Sequence, residues 1–68
     1  MSNSLAEELP RQQARCRGLL EDAISIGPNG AFLAHTLRID LARAETAAAS
    51  GDVVEMILAC KVLQEYSE

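Results

Sequence analysis

Two short breaks divide this chain into three segments, and each segment has the periodicity of an amphipathic helix. The breaks are Gly27–Gly30, which reads Gly-Pro-Asn-Gly, and Ser50–Asp52, which reads Ser-Gly-Asp. Glycine suits the left-handed position after a helix, proline cannot continue one, and aspartate followed three residues later by glutamate caps a new one. Between the breaks, apolar residues recur with a period near 3.6, whereas a strand would alternate every second residue. The sequence therefore predicts an all-α fold.

The predicted helices cover residues of about 9–26, 30–50 and 53–66. The second and third are expected to form an antiparallel helical hairpin, because the break between them is so short. Residues 1–8 are predicted to be a loose N-terminal arm, since Pro10 would fall in the second turn of a helix begun at Ser4. We expect the 68 residues to form a single domain.

The first two helices are each predicted to bury one apolar stripe. The first stripe is Leu9, Cys16, Leu19, Leu20, Ala23 and Ile24, and the second is Leu33, Leu37, Leu41, Ala44 and Ala48. The two cysteines, Cys16 and Cys60, are far apart and outside any Cys-x-x-Cys pair. We interpret both as small buried hydrophobic residues, and not as metal ligands or a redox pair.

The third helix carries apolar residues on two sides. One stripe, predicted to face the second helix, is Val53, Met56, Ile57, Cys60 and Leu63. The other stripe, Val54, Leu58 and Val62, recurs at i, i+4 and i+8 on roughly the opposite side. Three short helices cannot readily cover both sides, and burying one such side chain is worth about 1.5–3 kcal/mol. We therefore assign the second stripe to a homodimer interface in which two hairpins form a four-helix core. The alternative is that the first helix covers one stripe within the same chain.

A second candidate surface lies on the second helix, where Phe32 and Ile39 fall together well away from the core stripe. Exposed apolar patches with polar rims typically mark interfaces. The predicted partner-binding set is Phe32, His35, Arg38, Ile39, Asp40 and Glu45. The alternative for Phe32 and Ile39 is that they join the dimer interface. Asp40 projects to the border of the core stripe, where a carboxylate needs a hydrogen-bond partner.

No motif for catalysis or cofactor binding is present in the sequence. It lacks a nucleophile motif, a glycine-rich phosphate loop and metal-ligand spacing, and it has one histidine. We predict a protein that is not an enzyme and that uses no metal or cofactor. The chain also lacks an apolar run of about 20 residues and a signal peptide, so we expect no membrane contact and a cytoplasmic location.

The net charge of -4 repels phosphate backbones, which disfavours nucleic-acid binding. A basic protein surface is a better-matched partner. The alternative function is a small helical DNA-binding or adaptor regulator of phage or bacterial genes. In that case the basic cluster of Arg11, Arg15 and Arg17 would contact DNA.

Three motifs between Gly27 and Tyr66 carry a family resemblance. They are Pro-Asn-Gly-Ala-Phe at 28–32, Ile-Asp-Leu-Ala-Arg-Ala-Glu at 39–45 and Ser-Gly-Asp-Val-Val-Glu-Met at 50–56. In these motifs, which span about the C-terminal two thirds of its length, the chain resembles small early proteins of Mu-like (transposable) phages. Its length and composition also resemble those of phage anti-quorum-sensing proteins, which are helical homodimers. The resemblance implies an inhibitor that binds host proteins in the host cytoplasm. Its implied targets are the DNA-binding domain of a LuxR-type transcription activator and the type IV pilus assembly ATPase.

Overall fold

The computed structural model describes residues 4–67, most of which lie in three helices. Helix α1 spans Leu5–Ile26, α2 spans Ala31–Ser50 and α3 spans Val53–Gln64. A short 3-10 turn, Pro28–Gly30, joins α1 to α2. No strand occurs in the part of the chain that the structure describes. The predicted all-α fold is confirmed, and both predicted breaks separate helices.

Both helix connections depend on a glycine with positive φ. Gly27 follows α1 with φ 89°, and Gly51 follows α2 in the left-handed conformation with φ 73°. After Gly51, Asp52 caps α3, because its carboxylate Oδ1 accepts hydrogen bonds from the backbone N–H groups of Val54 at 3.0 Å and Glu55 at 3.3 Å. These two bonds satisfy N–H groups that have no partner within the helix.

All three helices contact one another, and the core lies between them. Its buried residues are Leu9 and Cys16 of α1, Leu37, Leu41 and Ala44 of α2, and Cys60 and Leu63 of α3. The approach of α1 to the start of α2 is especially close. A Cβ atom on Gly30 would lie 2.1 Å from the carbonyl oxygen of Ala23, so this position has no room for a side chain.

Helix α1 begins earlier than predicted and runs through Pro10. The prediction of a loose arm over residues 1–8 is therefore wrong for residues 5–8, while residues 1–3 lie outside the described residues. Leu9 is 1% exposed and Leu5 packs against the same core. Full burial of Leu9, at about 1.5–3 kcal/mol, together with the partial burial of Leu5, offsets the roughly 3 kcal/mol that a proline costs inside a helix.

The predicted core stripe of α2 is correct at its centre and wrong at its ends. Leu37, Leu41 and Ala44 are buried, but Leu33 and Ala48 are exposed. Ala34 and Ala47, each one position away, are buried in their place. On α1, Leu9, Cys16 and Ala23 are buried as predicted, Leu19 and Leu20 are half-buried, and Ile24 is exposed.

Candidate protein-binding surface

Helix α3 exposes apolar side chains over most of its outer surface. The residues of the predicted dimer stripe are exposed by 64% at Val54, 52% at Leu58 and 39% at Val62. We call these three residues the α3 stripe. Val53 and Ile57 are also exposed, so the prediction that they face α2 is wrong. Helix α1 packs against the side of α3 that carries Cys60 and Leu63, as in the alternative in which it covers one side, but the α3 stripe, Val53 and Ile57 stay exposed.

The reason for the error at Val53 and Ile57 is that α3 has apolar residues at almost every angle around its axis. The side that faces the core carries Met56, Cys60 and Leu63, of which Cys60 and Leu63 are buried and Met56 is half-buried. With valine, isoleucine and leucine on the other sides as well, hydrophobic periodicity does not determine which side is buried.

A groove of about 670 Å³ lies between α2 and α3 and adjoins the α3 stripe. We call it the α2–α3 groove. It is lined by Asp40, Ala42, Arg43, Thr46, Ala47 and Ser50 of α2, by Asp52 of the connection, and by Glu55, Leu58, Ala59 and Val62 of α3. Leu58 and Val62 belong to the groove and to the α3 stripe, which makes the two features one surface. Its lining includes the small residues Ala47 and Ala59.

Asp40 of α2 is hydrogen-bonded to Tyr66, which follows α3. Its Oδ2 atom accepts a hydrogen bond of 2.6 Å from the hydroxyl of Tyr66, just beyond α3. Burial, together with this hydrogen bond, raises the pKa of Tyr66 above its ordinary value. Asp40 is half-buried, so the expectation that this carboxylate has a hydrogen-bond partner is confirmed.

The six residues predicted to bind a partner do not come together in one site. Asp40 lies in the α2–α3 groove with Leu58 and Val62. Phe32 is 80% exposed and Ile39 is 43% exposed, and their spacing of seven residues puts them on one side of α2. His35, Arg38 and Glu45 are all exposed. Arg38 lines a separate depression of about 300 Å³ between the end of α1 and the start of α2. Glu45 faces α1, with its Oε2 atom 3.7 Å from Nη2 of Arg17.

Sequence reasoning missed the polar residues that α2 contributes to the groove, which include Arg43, Thr46 and Ser50. The available signal was the alanine-rich second half of α2. Small residues there indicate a close approach of another helix. They did not indicate that one side would remain open beside α3.

The three arginines of the basic cluster each interact within the chain. Arg11 pairs with Glu8, Arg15 donates a hydrogen bond of 2.8 Å to the carbonyl oxygen of Leu63, and Arg17 lies beside Glu45. Hydrogen bonds from Gln12 and then Arg11 lower the pKa of Glu8. The cluster is therefore balanced by nearby carboxylates and by the last turn of α3, where a cation is favourable.

Cys16 and Cys60 are buried free cysteines, exposed by 0% and 5%. Burial raises the pKa of both thiols, so both remain protonated at neutral pH. Cys16 also donates a weak hydrogen bond of 3.5 Å to the Leu63 carbonyl. The interpretation of both residues as small core residues is confirmed.

Among residues 4–67, no group of three or more His, Cys, Asp or Glu side chains is arranged to hold a metal ion. None of the helices in that range is long and apolar enough to cross a membrane.

No protein-family model matches the chain, and no curated protein or solved structure matches it either. The prominent surface feature of the described residues is the α3 stripe with the adjoining groove.

Proposed function

We propose that this chain is a protein-binding regulator that acts as a homodimer and carries out no reaction of its own. The observation that carries the proposal is the exposure of the α3 stripe beside the α2–α3 groove. Full burial of one aliphatic side chain is worth about 1.5–3 kcal/mol. Covering the exposed parts of several such residues contributes an amount comparable with the low end of a domain's stability, about 5 kcal/mol.

The partner for the α3 stripe is a second copy of the chain. A domain near this size buries only about 60% of its unfolded surface, so pairing adds core that the single chain lacks. Helices α2 and α3 are in contact, are joined by Gly51 and Asp52, and are linked again by the Tyr66 to Asp40 hydrogen bond. These contacts support an antiparallel hairpin, and two hairpins packed face to face make a four-helix core.

A foreign protein is the partner for the outer side of α2. Phe32 is the most exposed of the large apolar residues in the described chain, and Ile39 lies two turns further along the same side. Aromatic anchors of this kind dominate the binding energy of many interfaces. The net charge of -4 favours a basic target, since charge complementarity speeds association and suppresses wrong partners.

The resemblance to phage anti-quorum-sensing proteins gives the proposal a specific form. In that form the chain is phage-encoded and inhibits two host proteins, a LuxR-type transcription activator at its DNA-binding domain and the type IV pilus assembly ATPase. A DNA-binding domain presents the basic surface that the acidic chain favours.

Titration calorimetry with the purified activator and the purified pilus ATPase tests this form. We expect binding to both, and release of the activator from its DNA when the chain is added. Absence of binding to both proteins at tens of micromolar would remove these targets. It would not affect the proposed self-association, which is measured on the chain alone.

Direct DNA binding, the competing function, makes a different prediction. The arginine cluster lies beside carboxylates of the chain and the net charge is -4, so we expect no salt-dependent shift of a DNA duplex in a gel. A shift whose affinity falls linearly with the logarithm of salt concentration would instead favour the DNA-binding regulator.

A further inference from the structure

The α3 stripe is symmetric about Leu58. Val54 lies four residues before it and Val62 four residues after it, and all three side chains are exposed. Four residues of a helix rise by about 6 Å and turn by about 40° beyond a full turn. A half-turn about an axis through Leu58, perpendicular to the helix, therefore exchanges the two valine positions. A second copy turned end for end can therefore place each valine opposite a valine, so that the same patch serves both subunits of an isologous, two-fold interface.

The charges beside the stripe favour an antiparallel arrangement of the two helices. Glu55 and Lys61, both exposed, each lie three residues from Leu58 on opposite sides. In an antiparallel pair centred on Leu58, Glu55 of one copy is level with Lys61 of the other along the helix axis. A parallel pair would instead set glutamate level with glutamate and lysine level with lysine, which is unfavourable. The helix dipoles also favour the antiparallel arrangement, because the positive end of one helix then lies beside the negative end of the other.

The α2–α3 groove provides space on one side of this contact. Leu58 and Val62 form part of its wall, and the small residues Ala47 and Ala59 also line it. Ridges formed by residues four apart, such as the α3 stripe, pack into the grooves of a facing helix. A partner helix lying on the stripe can thus insert side chains toward α2 without displacing the core.

We propose that a second copy of the chain docks antiparallel on α3, with Leu58 at the two-fold axis and Val54 level with Val62 of the partner subunit. This inference rests on the proposed self-association and adds its geometry. It makes a prediction that depends on position, because residues on a two-fold axis meet their own copies and residues away from the axis do not.

Cysteine cross-linking tests the position of the axis. Two thiols form a disulfide only when their Cα atoms lie within about 4.4–6.8 Å. Under mild oxidation the Leu58→Cys variant should give a covalent dimer on a non-reducing gel. The Val54→Cys variant should cross-link at least about tenfold more slowly, since antiparallel copies of this position are about 12 Å apart along the helix. Mixing Val54→Cys with Val62→Cys, one of them tagged, should restore cross-linking, now as a mixed dimer.

The controls use the protein's own cysteines and a measurement of mass. Wild-type protein should not cross-link, because Cys16 and Cys60 are buried. If Val54→Cys cross-links to itself as fast as Leu58→Cys, the helices are parallel and the inference is wrong. If Leu58→Cys does not cross-link although light scattering shows a dimer, the dimer uses another surface, and the inference fails while self-association stands. A monomer by light scattering would overturn both.

Discussion

Replacing Leu58 with aspartate should separate the dimer while leaving each chain folded. Leu58 is 52% exposed in the single chain and is not one of the buried core residues. An aspartate carboxylate there remains in water when the chain is a monomer. In the antiparallel dimer the two carboxylates would meet at the two-fold axis, where they repel and lose hydration.

The expected size of the effect follows from the exposed part of the leucine. About half of a leucine's burial energy, which is about 1.5–3 kcal/mol in full, remains to be gained at the interface by each copy. For the two copies together the loss is about 1.5–3 kcal/mol, which weakens the dimer by roughly 10- to 150-fold. Repulsion between the two carboxylates increases the loss further.

Sedimentation equilibrium of the wild type and of Leu58→Asp measures the two dissociation constants, and circular dichroism reports whether the variant is still helical. Ile24→Asp is a matched control, because Ile24 is 51% exposed but lies on α1, away from the α3 stripe. We expect Leu58→Asp to be monomeric and helical, and Ile24→Asp to be dimeric. Equal dissociation constants for the wild type and Leu58→Asp would refute this expectation, and so would equal weakening by both variants.

Four further variants test other parts of the structure. Phe32→Ala should weaken binding of the foreign partner at least about tenfold by calorimetry, as expected for an aromatic anchor, with an unchanged melting temperature. Gly30→Ala should cost about 1–3 kcal/mol in urea unfolding, since its Cβ would overlap the Ala23 carbonyl. Gly18→Ala, whose Cβ would meet no atom within 4 Å, should instead stabilise the chain by about 0.5–1 kcal/mol. Tyr66→Phe should cost about 1.5–3 kcal/mol, because it removes a hydrogen bond to a carboxylate.

The Tyr66 variant also has a pH signature. The folded chain holds the pKa of this hydroxyl above its ordinary value, so the unfolded chain loses its proton first as the pH rises. Tyr66 therefore contributes stability that is fully present below a pH of about 10 and declines above it. The difference in unfolding free energy between the wild type and Tyr66→Phe should shrink as the pH rises past that value. A difference that stays constant up to a pH of about 11 would contradict this assignment.

The helices and their ends were predictable where a residue has a strong local preference. Gly51 adopts the left-handed conformation that ends α2, and Asp52 makes the capping hydrogen bonds that its spacing to Glu55 indicates. The start of α1 was not predictable in this way. Pro10 locally disfavours a helix, and the burial of Leu9 in the tertiary fold outweighs that preference.

The choice of the buried side was predictable only where polar and apolar residues contrast. The centre of α2 is flanked by charged residues, and Leu37 and Leu41 are buried as expected. Toward the end of α2, the consecutive alanines at 47–49 allow more than one choice of the buried side. Ala47 is buried there, whereas Ala48 was predicted to be. Gln13 is buried as well, 8% exposed, and a polar side chain gives no hydrophobic signal.

The candidate site was predictable as a set of exposed apolar residues and not as a shape. The excess of apolar residues on α3 identified the α3 stripe, and its exposure matches that expectation. The groove depends on how α2 and α3 lie against each other, which brings Asp40 beside Leu58 and Val62. The sequence does not show how α2 and α3 pack, so Asp40 and the α3 stripe were assigned to separate surfaces.

The most direct test of self-association is the molar mass of the wild-type chain in solution. One chain has a mass of 7.3 kDa, and multi-angle light scattering during gel filtration distinguishes one copy from two. We predict twice the single-chain mass at tens of micromolar, with a decrease toward the single-chain mass only on strong dilution. A mass of one chain throughout that concentration range would contradict the proposal that the exposed apolar side of α3 pairs with a second copy.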